Sequence, residues 1–206
     1  MPRKFFVDFD GTLIDSRARL FNLFEELAPD NNLSFDAYWK IKRKRTNQEQ
    51  MLRNWLYYSD SQIKEFKKMW LHRVEEPERL AMDSPIPGAV EFLKKSSKLG
   101  KLYLVTARQH PQYVYEQLSS MKMNTYFEDV YVTEQKVGKS ELILSNTQFE
   151  GGDVFIGDSG EDILCGKELN LKTVAVTTGV LNNYMLKQYE PTMIVNSVEE
   201  LDLRNV

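Results

Sequence analysis

Near its start the chain runs Phe5-Phe6-Val7-Asp8-Phe9-Asp10-Gly11-Thr12-Leu13, an apolar run that ends in two carboxylates one residue apart and then turns at once through glycine and threonine. If residues 5–9 are extended, Asp8 and Asp10 project to the same side. Like charges that close resist joint ionisation unless a cation lies between them or one keeps a proton. Oxygen ligands suit a hard cation such as Mg²⁺. Gly11 lets the backbone turn tightly away from the strand end. A strand followed by a polar turn accounts for the pair of acids taken alone, so the rest of the chain has to say whether they are chemistry or punctuation.

Residues 15–84 read as helical throughout. Asp15 or Ser16 can cap a helix over 16–28 whose stripe is Leu20, Phe21, Phe24 and Leu27. Ser34 can cap a second, with Phe35, Tyr38 and Trp39 on one face. Thr46-Asn47-Gln48-Glu49 fits a capping box that opens a third. Ser59 or Ser61 opens a fourth, with Pro77 just past its end. Ser84-Pro85-Ile86-Pro87-Gly88 is then a turn-rich joint. Beyond it strand and helix patterns alternate: helix at 89–99, strand at 102–105, helix from Pro111 to about Met121, strands at 130–132, 154–156, 173–176 and 193–195, with helices at 140–144, 162–169 and 182–189 between them. Such alternation predicts a mainly parallel, doubly wound α/β sheet with helices on both faces. Ligands of such folds bind beyond the carboxyl ends of the strands. The division expected is a core of residues 1–14 and 85–206, with 15–84 inserted as an all-helical cap.

Composition narrows the class. With 206 residues, 42% hydrophobic and 28% charged, the chain has ample material for a globular core. A net charge of -3 gives no long-range pull toward nucleic acid or acidic membranes, and neither is expected as a partner. No apolar run approaches the ~20 residues that span a bilayer. Met1-Pro2-Arg3-Lys4 leads into an acid-bearing strand without the apolar core of a signal peptide. The single cysteine, Cys165, excludes an intramolecular disulfide framework. A cytoplasmic protein, monomeric or homodimeric, is expected.

Three further strings carry chemistry. Lys101-Leu102-Tyr103-Leu104-Val105-Thr106-Ala107-Arg108 is an apolar strand ending in a hydroxyl, and Thr106 with the backbone N–H groups that follow, Ala107 first, can hold a phosphate oxygen. Gly138-Lys139-Ser140-Glu141 puts a cation at a helix start, where the dipole favours anions; the placement makes better sense if Lys139 meets an anion among carboxylates, and Lys136 is the other candidate. Phe155-Ile156-Gly157-Asp158-Ser159-Gly160-Glu161-Asp162 is again an apolar strand that ends in acid. Asp158 and Asp162 can ligate a hard cation, or Asp158 or Ser159 can cap the next helix.

Asp8/Asp10, Thr106, Lys139 and Asp158/Asp162, in that order and each at a strand end or helix start, resemble the four motifs of the haloacid dehalogenase-like superfamily, most of whose members are phosphatases. The match covers residues 5–14 and 85–180, and Gly179 after Thr173–Thr178 resembles that family's strand-and-glycine ending. The resemblance implies a Mg²⁺-dependent phosphatase of the phosphoglycolate phosphatase-like branch acting on a small phosphorylated metabolite. It makes Asp8 the nucleophile that forms an aspartyl-phosphate and Asp10 the acid and base. It places the metal on Asp8, Asp10 (through its backbone carbonyl), Asp158 and Asp162, and the phosphate on Gly11, Thr12, Thr106, Ala107 and Lys139. The aspartate at position 10 argues against dehalogenation, whose leaving group needs no proton. A sugar-phosphate mutase of the same superfamily and a non-catalytic binding protein of the same fold are the alternatives. The cationic run Lys40–Arg45 reads as a solvated helix face, or as the source of one or two groups, Arg43 or Arg45 with Asn47, that reach an anionic leaving group.

Overall fold

The computed structural model describes residues 2–206, so Met1 lies outside the described residues. The chain opens with strands β1 (Lys4–Val7) and β2 (Ile14–Asp15), then helices α1 (Arg17–Leu27), α2 (Phe35–Lys42), α3 (Gln48–Trp55), α4 (Asp60–Arg73) and α5 (Pro77–Leu80). It continues through β3 (Ser84–Pro85), α6 (Ala89–Ser96), β4 (Lys101–Thr106), α7 (Pro111–Ser120), β5 (Phe127–Val132) and α8 (Lys139–Asn146). It ends with β6 (Val154–Gly157), α9 (Gly160–Glu168), β7 (Lys172–Val176), α10 (Asn183–Lys187) and β8 (Met193–Val195).

Six strands form one sheet in the order β5-β4-β1-β6-β7-β8. Every neighbouring pair is parallel, with β1 between β4 (Phe5 opposite Leu102) and β6 (Phe5 opposite Val154). A strand covered on both faces reads as a continuous apolar run, as Phe5-Phe6-Val7 does. Side chains alternate between the faces. Phe5 and Val7 pack with Phe92 and Leu93 of α6 and Val114 and Leu118 of α7. Phe6 packs on the other side with Tyr103, Phe155, Ile143 of α8 and Cys165 of α9. Each fully buried Phe, Leu, Ile or Val among them contributes about 1.5–3 kcal/mol. Because the sheet is parallel, Asp8, Thr106, Asp158 and Thr177, each at or just past the carboxyl end of its strand, lie along the same edge.

Helices α1–α4 hold a separate apolar cluster, with Phe24, Tyr38, Met51, Leu52, Ile63 and Phe66 buried in it. Their starts follow the sequence, with one displacement. Ser34 and Ser59 cap α2 and α4, but α3 is capped by Asn47 rather than Thr46: Asn47 Oδ1 accepts from Gln50 N at 2.8 Å, and Gln50 Oε1 accepts from Asn47 N at 2.9 Å. An amide carbonyl caps as well as a hydroxyl, and starting one residue later places Met51 and Leu52 in the cluster. Asp15 Oδ1 accepts from Arg17 N at 3.0 Å at the start of α1, while Ser16 makes no capping bond. The expected joint at 84–88 contains β3, whose two residues pair antiparallel with β2: Ile14 opposite Pro85, Asp15 opposite Ser84. The helical segment thus leaves and rejoins the sheet at one point. No helix among the described residues is long and apolar enough to cross a membrane.

Candidate active site

Asp8 follows β1 and is buried. Its Oδ1 accepts from Lys139 Nζ at 2.6 Å and its Oδ2 from the Thr12 hydroxyl at 3.0 Å. Lys139 is the first residue of α8, and its ammonium also reaches Asp162 Oδ1 at 2.6 Å. The cation at a helix start is thereby accounted for: two carboxylates outweigh the unfavourable dipole. Lys136, the other candidate, is on the surface beside Glu134 at 2.7 Å. Asp162 is the third residue of α9, and its Oδ2 accepts from Ser159 N at 3.1 Å and from the Ser159 hydroxyl at 2.6 Å. Ser159 returns a capping bond to Asp162 N. The capping reading and the acidic-site reading of this string therefore both hold, on the two oxygens of one side chain.

Asp158 is buried beside them, and Val180 N donates to its Oδ2 at 2.5 Å. Two glycines make room for it. Gly11 has φ +80, and a Cβ there would stand 2.7 Å from Asp158 Oδ2; a Cβ on Gly179 would stand 1.7 Å from the same oxygen. A side chain at position 179 cannot coexist with Asp158 where it is.

Carboxylate oxygens of Asp8, Asp158 and Asp162 all lie within 4.8 Å of one another. Three buried acids share one ammonium, so the cluster is two charges short of neutrality. The strain shows in titration. Burial, with repulsion from Asp162 and Asp10 and partial relief from Lys139, raises Asp8 to about 7. Burial and the charges of Asp8 and Asp162 push Asp158 well above the carboxylate range. Lys139 is driven up by Asp162 and Asp8 in spite of its burial. An all-oxygen, net-negative and water-poor cluster fits a divalent hard cation. Both oxygens of Asp8 are engaged, by Lys139 and Thr12, and both of Asp162, by Lys139 and Ser159, so among the described residues Asp158 Oδ1 is the carboxylate oxygen of the cluster with no hydrogen-bond partner.

Asp10 is placed elsewhere. β1 ends at Val7, so the two acids leave the strand on a turn rather than on one face of an extended segment. The Asp10 carboxylate is not in the acidic cluster. Its Oδ1 meets Arg19 Nη2 at 2.6 Å and Arg108 Nη2 at 2.8 Å, and its Oδ2 meets Arg108 Nε at 2.5 Å. Burial alone raises a carboxyl; here Arg108 and Arg19 overcome it and hold Asp10 at about 2. The expectation of two acids facing one cation applies to the Asp10 side chain no longer, because two buried guanidiniums need an anion and Asp10 supplies it.

Asp83 completes this second group. It accepts from Arg19 Nε at 2.9 Å, Arg108 Nη2 at 3.2 Å and Gln117 Nε2 at 3.0 Å. Nearby, Glu75 accepts from the backbone N–H groups of Gln109 and His110 at 2.8 and 3.1 Å, at the start of α7. Arg19, Glu75 and Asp83 come from the helical segment and its exit, and Arg108 from the sheet. None of the four was singled out in the sequence. The available signal was position: Arg108 follows the strand-ending Thr106-Ala107, and Arg19 and Asp83 flank the two crossings.

The remaining candidates are distributed. Thr106 is buried at the end of β4 and Ala107 is exposed beyond it. Arg43 donates to the Thr177 carbonyl, and its own carbonyl accepts from Asn182 N at 3.0 Å. Arg45 lies over the Tyr189 ring at 5.1 Å, and Asn47 is engaged in its cap.

The haloacid dehalogenase-like hydrolase family model matches residues 6–176. Phosphoglycolate phosphatase 1 of Pseudomonas aeruginosa is 22% identical over 214 residues, covering 98% of this chain and 79% of that protein. A haloacid dehalogenase-like family hydrolase from Streptococcus pneumoniae superposes with a TM-score of 0.79 at 20% identity, over 96% of this chain and 95% of that one. The hydrolase YfnB from Bacillus subtilis, described as bound to magnesium with interdomain movement, superposes at 0.65 and 20% identity, over 96% of each chain. With the family model spanning the sheet from β1 to β7, the chain belongs to the haloacid dehalogenase-like hydrolase family.

Proposed function

We propose that this hydrolase is a Mg²⁺-dependent phosphatase that cleaves a small phosphomonoester through an aspartyl-phosphate on Asp8, beneath a cap formed by residues 15–84. The observation that carries the reading is the Lys139 ammonium, held at 2.6 Å from both Asp8 and Asp162 in an otherwise acidic cluster beside Asp158. Such a group favours the ionised, nucleophilic form of a buried carboxylate against the cost of its burial, and receives the oxygens of a phosphoryl group that joins it.

In the first step an Asp8 oxygen bonds to phosphorus, the ester P–O bond breaks, and the leaving oxygen takes a proton from Asp10. In the second, water attacks phosphorus, its proton passes to Asp10, and the bond to Asp8 breaks. Thr12 holds the oxygen of Asp8 that Lys139 does not. In this reading Thr106, at the end of the neighbouring strand β4, and the Ala107 N–H that follows it bind phosphoryl oxygens. Mg²⁺ held by Asp8 and Asp158, with Asp162 behind, supplies neutralisation of the charge shared by nucleophile and phosphate. Asp10 is ionised while it sits on Arg19 and Arg108. Its proton transfer therefore needs the carboxylate to leave them, and Arg19, on α1, ties that departure to the position of the cap.

Phosphate release from 4-nitrophenyl phosphate tests the reading. Release should occur with Mg²⁺ and fall about 100-fold or more in chelator. No release under either condition would overturn it, and isomerisation of sugar phosphates would then be the assay to run.

Thermal melting gives a second test. Mg²⁺ added to chelator-treated protein at about 100 times its Kd stabilises by about 2.7 kcal/mol, a rise of roughly 5–10 °C for a chain this size. At one fixed Mg²⁺ concentration the rise should be larger at pH 8 than at pH 5, because ionised carboxylates bind the cation more tightly. Asp8 has its folded pKa at about 7, above the ordinary 3.8, so the metal-free fold loses stability as pH climbs through that interval. The cation restores what ionisation removed. A shift below a degree at both pH values would count against a metal at these carboxylates.

A further inference from the structure

Arg43 stands at the end of α2, where a helix leaves its last carbonyls without partners of its own. The core supplies one: Asn182 N donates to the Arg43 carbonyl at 3.0 Å. The Arg43 guanidinium in turn donates to the Thr177 carbonyl. Both ends of the segment 177–182, which follows β7, are thereby bonded to one residue of the helical segment.

Between those two bonds the chain runs against Asp158. The Thr178 hydroxyl donates to the Gly11 carbonyl at 2.5 Å, and Val180 N donates to Asp158 Oδ2 at 2.5 Å. The Val180 side chain packs with the apolar cluster of α1–α4, and also with the core group of Ile163, Ala175, Leu181 and Leu186. Val180 therefore meets the helical segment with its side chain and the acidic cluster with its N–H. β8 holds the start of the segment, through Thr177 N on the Val195 carbonyl at 3.1 Å and the Thr177 hydroxyl on the Asn196 carbonyl at 3.2 Å. The far end, before α10, is held by the Arg43 carbonyl.

We propose that Arg43 is a positioning residue for the metal site: by seating the helical segment on residues 177–182 it keeps the Val180 N–H on Asp158 Oδ2, so that Asp158 offers its unengaged Oδ1 to the cation. The proposal rests on the proposed function only for the presence of Mg²⁺ at Asp158. Seating and metal binding then favour one another, since a coupling free energy between two events acts equally in both directions.

The sign of the effect separates positioning from simple charge. Burial and the Arg17 charge lower Arg43, and the charge of Asp158 opposes them. A guanidinium that feels Asp158 also repels a cation bound there, so loss of its charge alone would tighten Mg²⁺ binding. Loss of positioning would weaken it.

Mg²⁺ titrated calorimetrically into chelator-treated, dialysed protein, without substrate, measures this directly. Arg43→Met should raise the Kd about 10-fold, the scale of a lost outer-shell partner. Arg43→Lys keeps the charge and one donor for the Thr177 carbonyl, and should recover part of the loss. Lys44→Met, which removes the exposed neighbouring charge, should bind as wild type does. A purely structural role would lower Tm without moving the Kd of the folded protein, so each variant is also melted. Hydrogen exchange measures the reverse direction and needs no variant: Mg²⁺ should slow exchange of the Asn182 amide in wild type by a similar factor. An unchanged or lowered Kd in Arg43→Met, no recovery in Arg43→Lys, the same rise in Lys44→Met, or exchange at Asn182 indifferent to Mg²⁺ would each overturn the proposal and leave the metal reading standing. A wild type that binds no Mg²⁺ would overturn both.

Discussion

Asp8→Asn is expected to reduce phosphate release by on the order of 10⁴-fold or more while leaving the fold in place. The amide is nearly isosteric. Its oxygen can still accept from Lys139, and the Thr12 hydroxyl can turn from donor to acceptor. What it lacks is the negative charge and the nucleophilicity of the carboxylate. Melting of the metal-free proteins supplies an internal control, because the same substitution should stabilise the fold. The folded pKa of Asp8, about 7, lies above the ordinary 3.8. The stability that Asp8 contributes is therefore complete below its unfolded pKa and lost as pH rises through 7. Asparagine has no such loss. The variant should melt above wild type by a margin that opens between about pH 4 and pH 7 and then levels off. Retained turnover would remove Asp8 as nucleophile. A variant that melts well below wild type at pH 8 would contradict the account of a cluster short of positive charge.

Arg19→Met carries the second large effect, on stability. Arg19 is 2% exposed and makes three kinds of bond: to Asp10, to Asp83, and from Nη1 to the Val74 carbonyl at 2.8 Å. Asp83, whose side chain is fully buried, would keep only Arg108 and Gln117. Removing one partner of a buried ion pair costs about 3–5 kcal/mol. For a chain of this length that is a fall in Tm on the order of 10 °C. Burial already raises Asp83, against the pull of Arg19. Without Arg19 the carboxyl should take a proton more readily, so the deficit should shrink as pH is lowered. Arg19→Met combined with Asp83→Asn should be less destabilising than the sum of the single changes, since each removes the charge the other leaves stranded. A fall of less than about 2 °C, or strict additivity, would show that the network does not stabilise the fold in this way.

Motifs confined to a strand end and the turn after it were legible because local chemistry writes them. Apolar runs meeting acid or hydroxyl at Asp8, Thr106 and Asp158, and a lysine opening α8, needed only adjacency in sequence. What joins Arg19 and Arg108 through the carboxylates of Asp83 and Asp10 spans long stretches of chain, and a charged residue on a helix reads as solvated unless its partner is known. The α3 cap was displaced from Thr46 to Asn47 because both residues can cap, and tertiary packing of Met51 and Leu52 chooses between them. β5 starts at Phe127 rather than 130, since Glu128 and Asp129 face solvent on an edge strand and carry no apolar signal.

The pairing of β2 with β3 bears on how the chain reaches its native state. The central strand β1 has both partners far away, Lys101 for Lys4 on one side and Val154 for Phe5 on the other. Contacts so distant in sequence slow the search for a parallel sheet. With Ile14 against Pro85, the helical segment closes on itself and brings those two positions together. If it forms early, around its own apolar cluster, it shortens the loop between β1 and β4 by roughly 70 residues, which lowers the entropic cost of closure by about 1 kcal/mol. A segment that adds length to the sequence would then act, during folding, as a clasp that draws the first and second halves of the sheet into register.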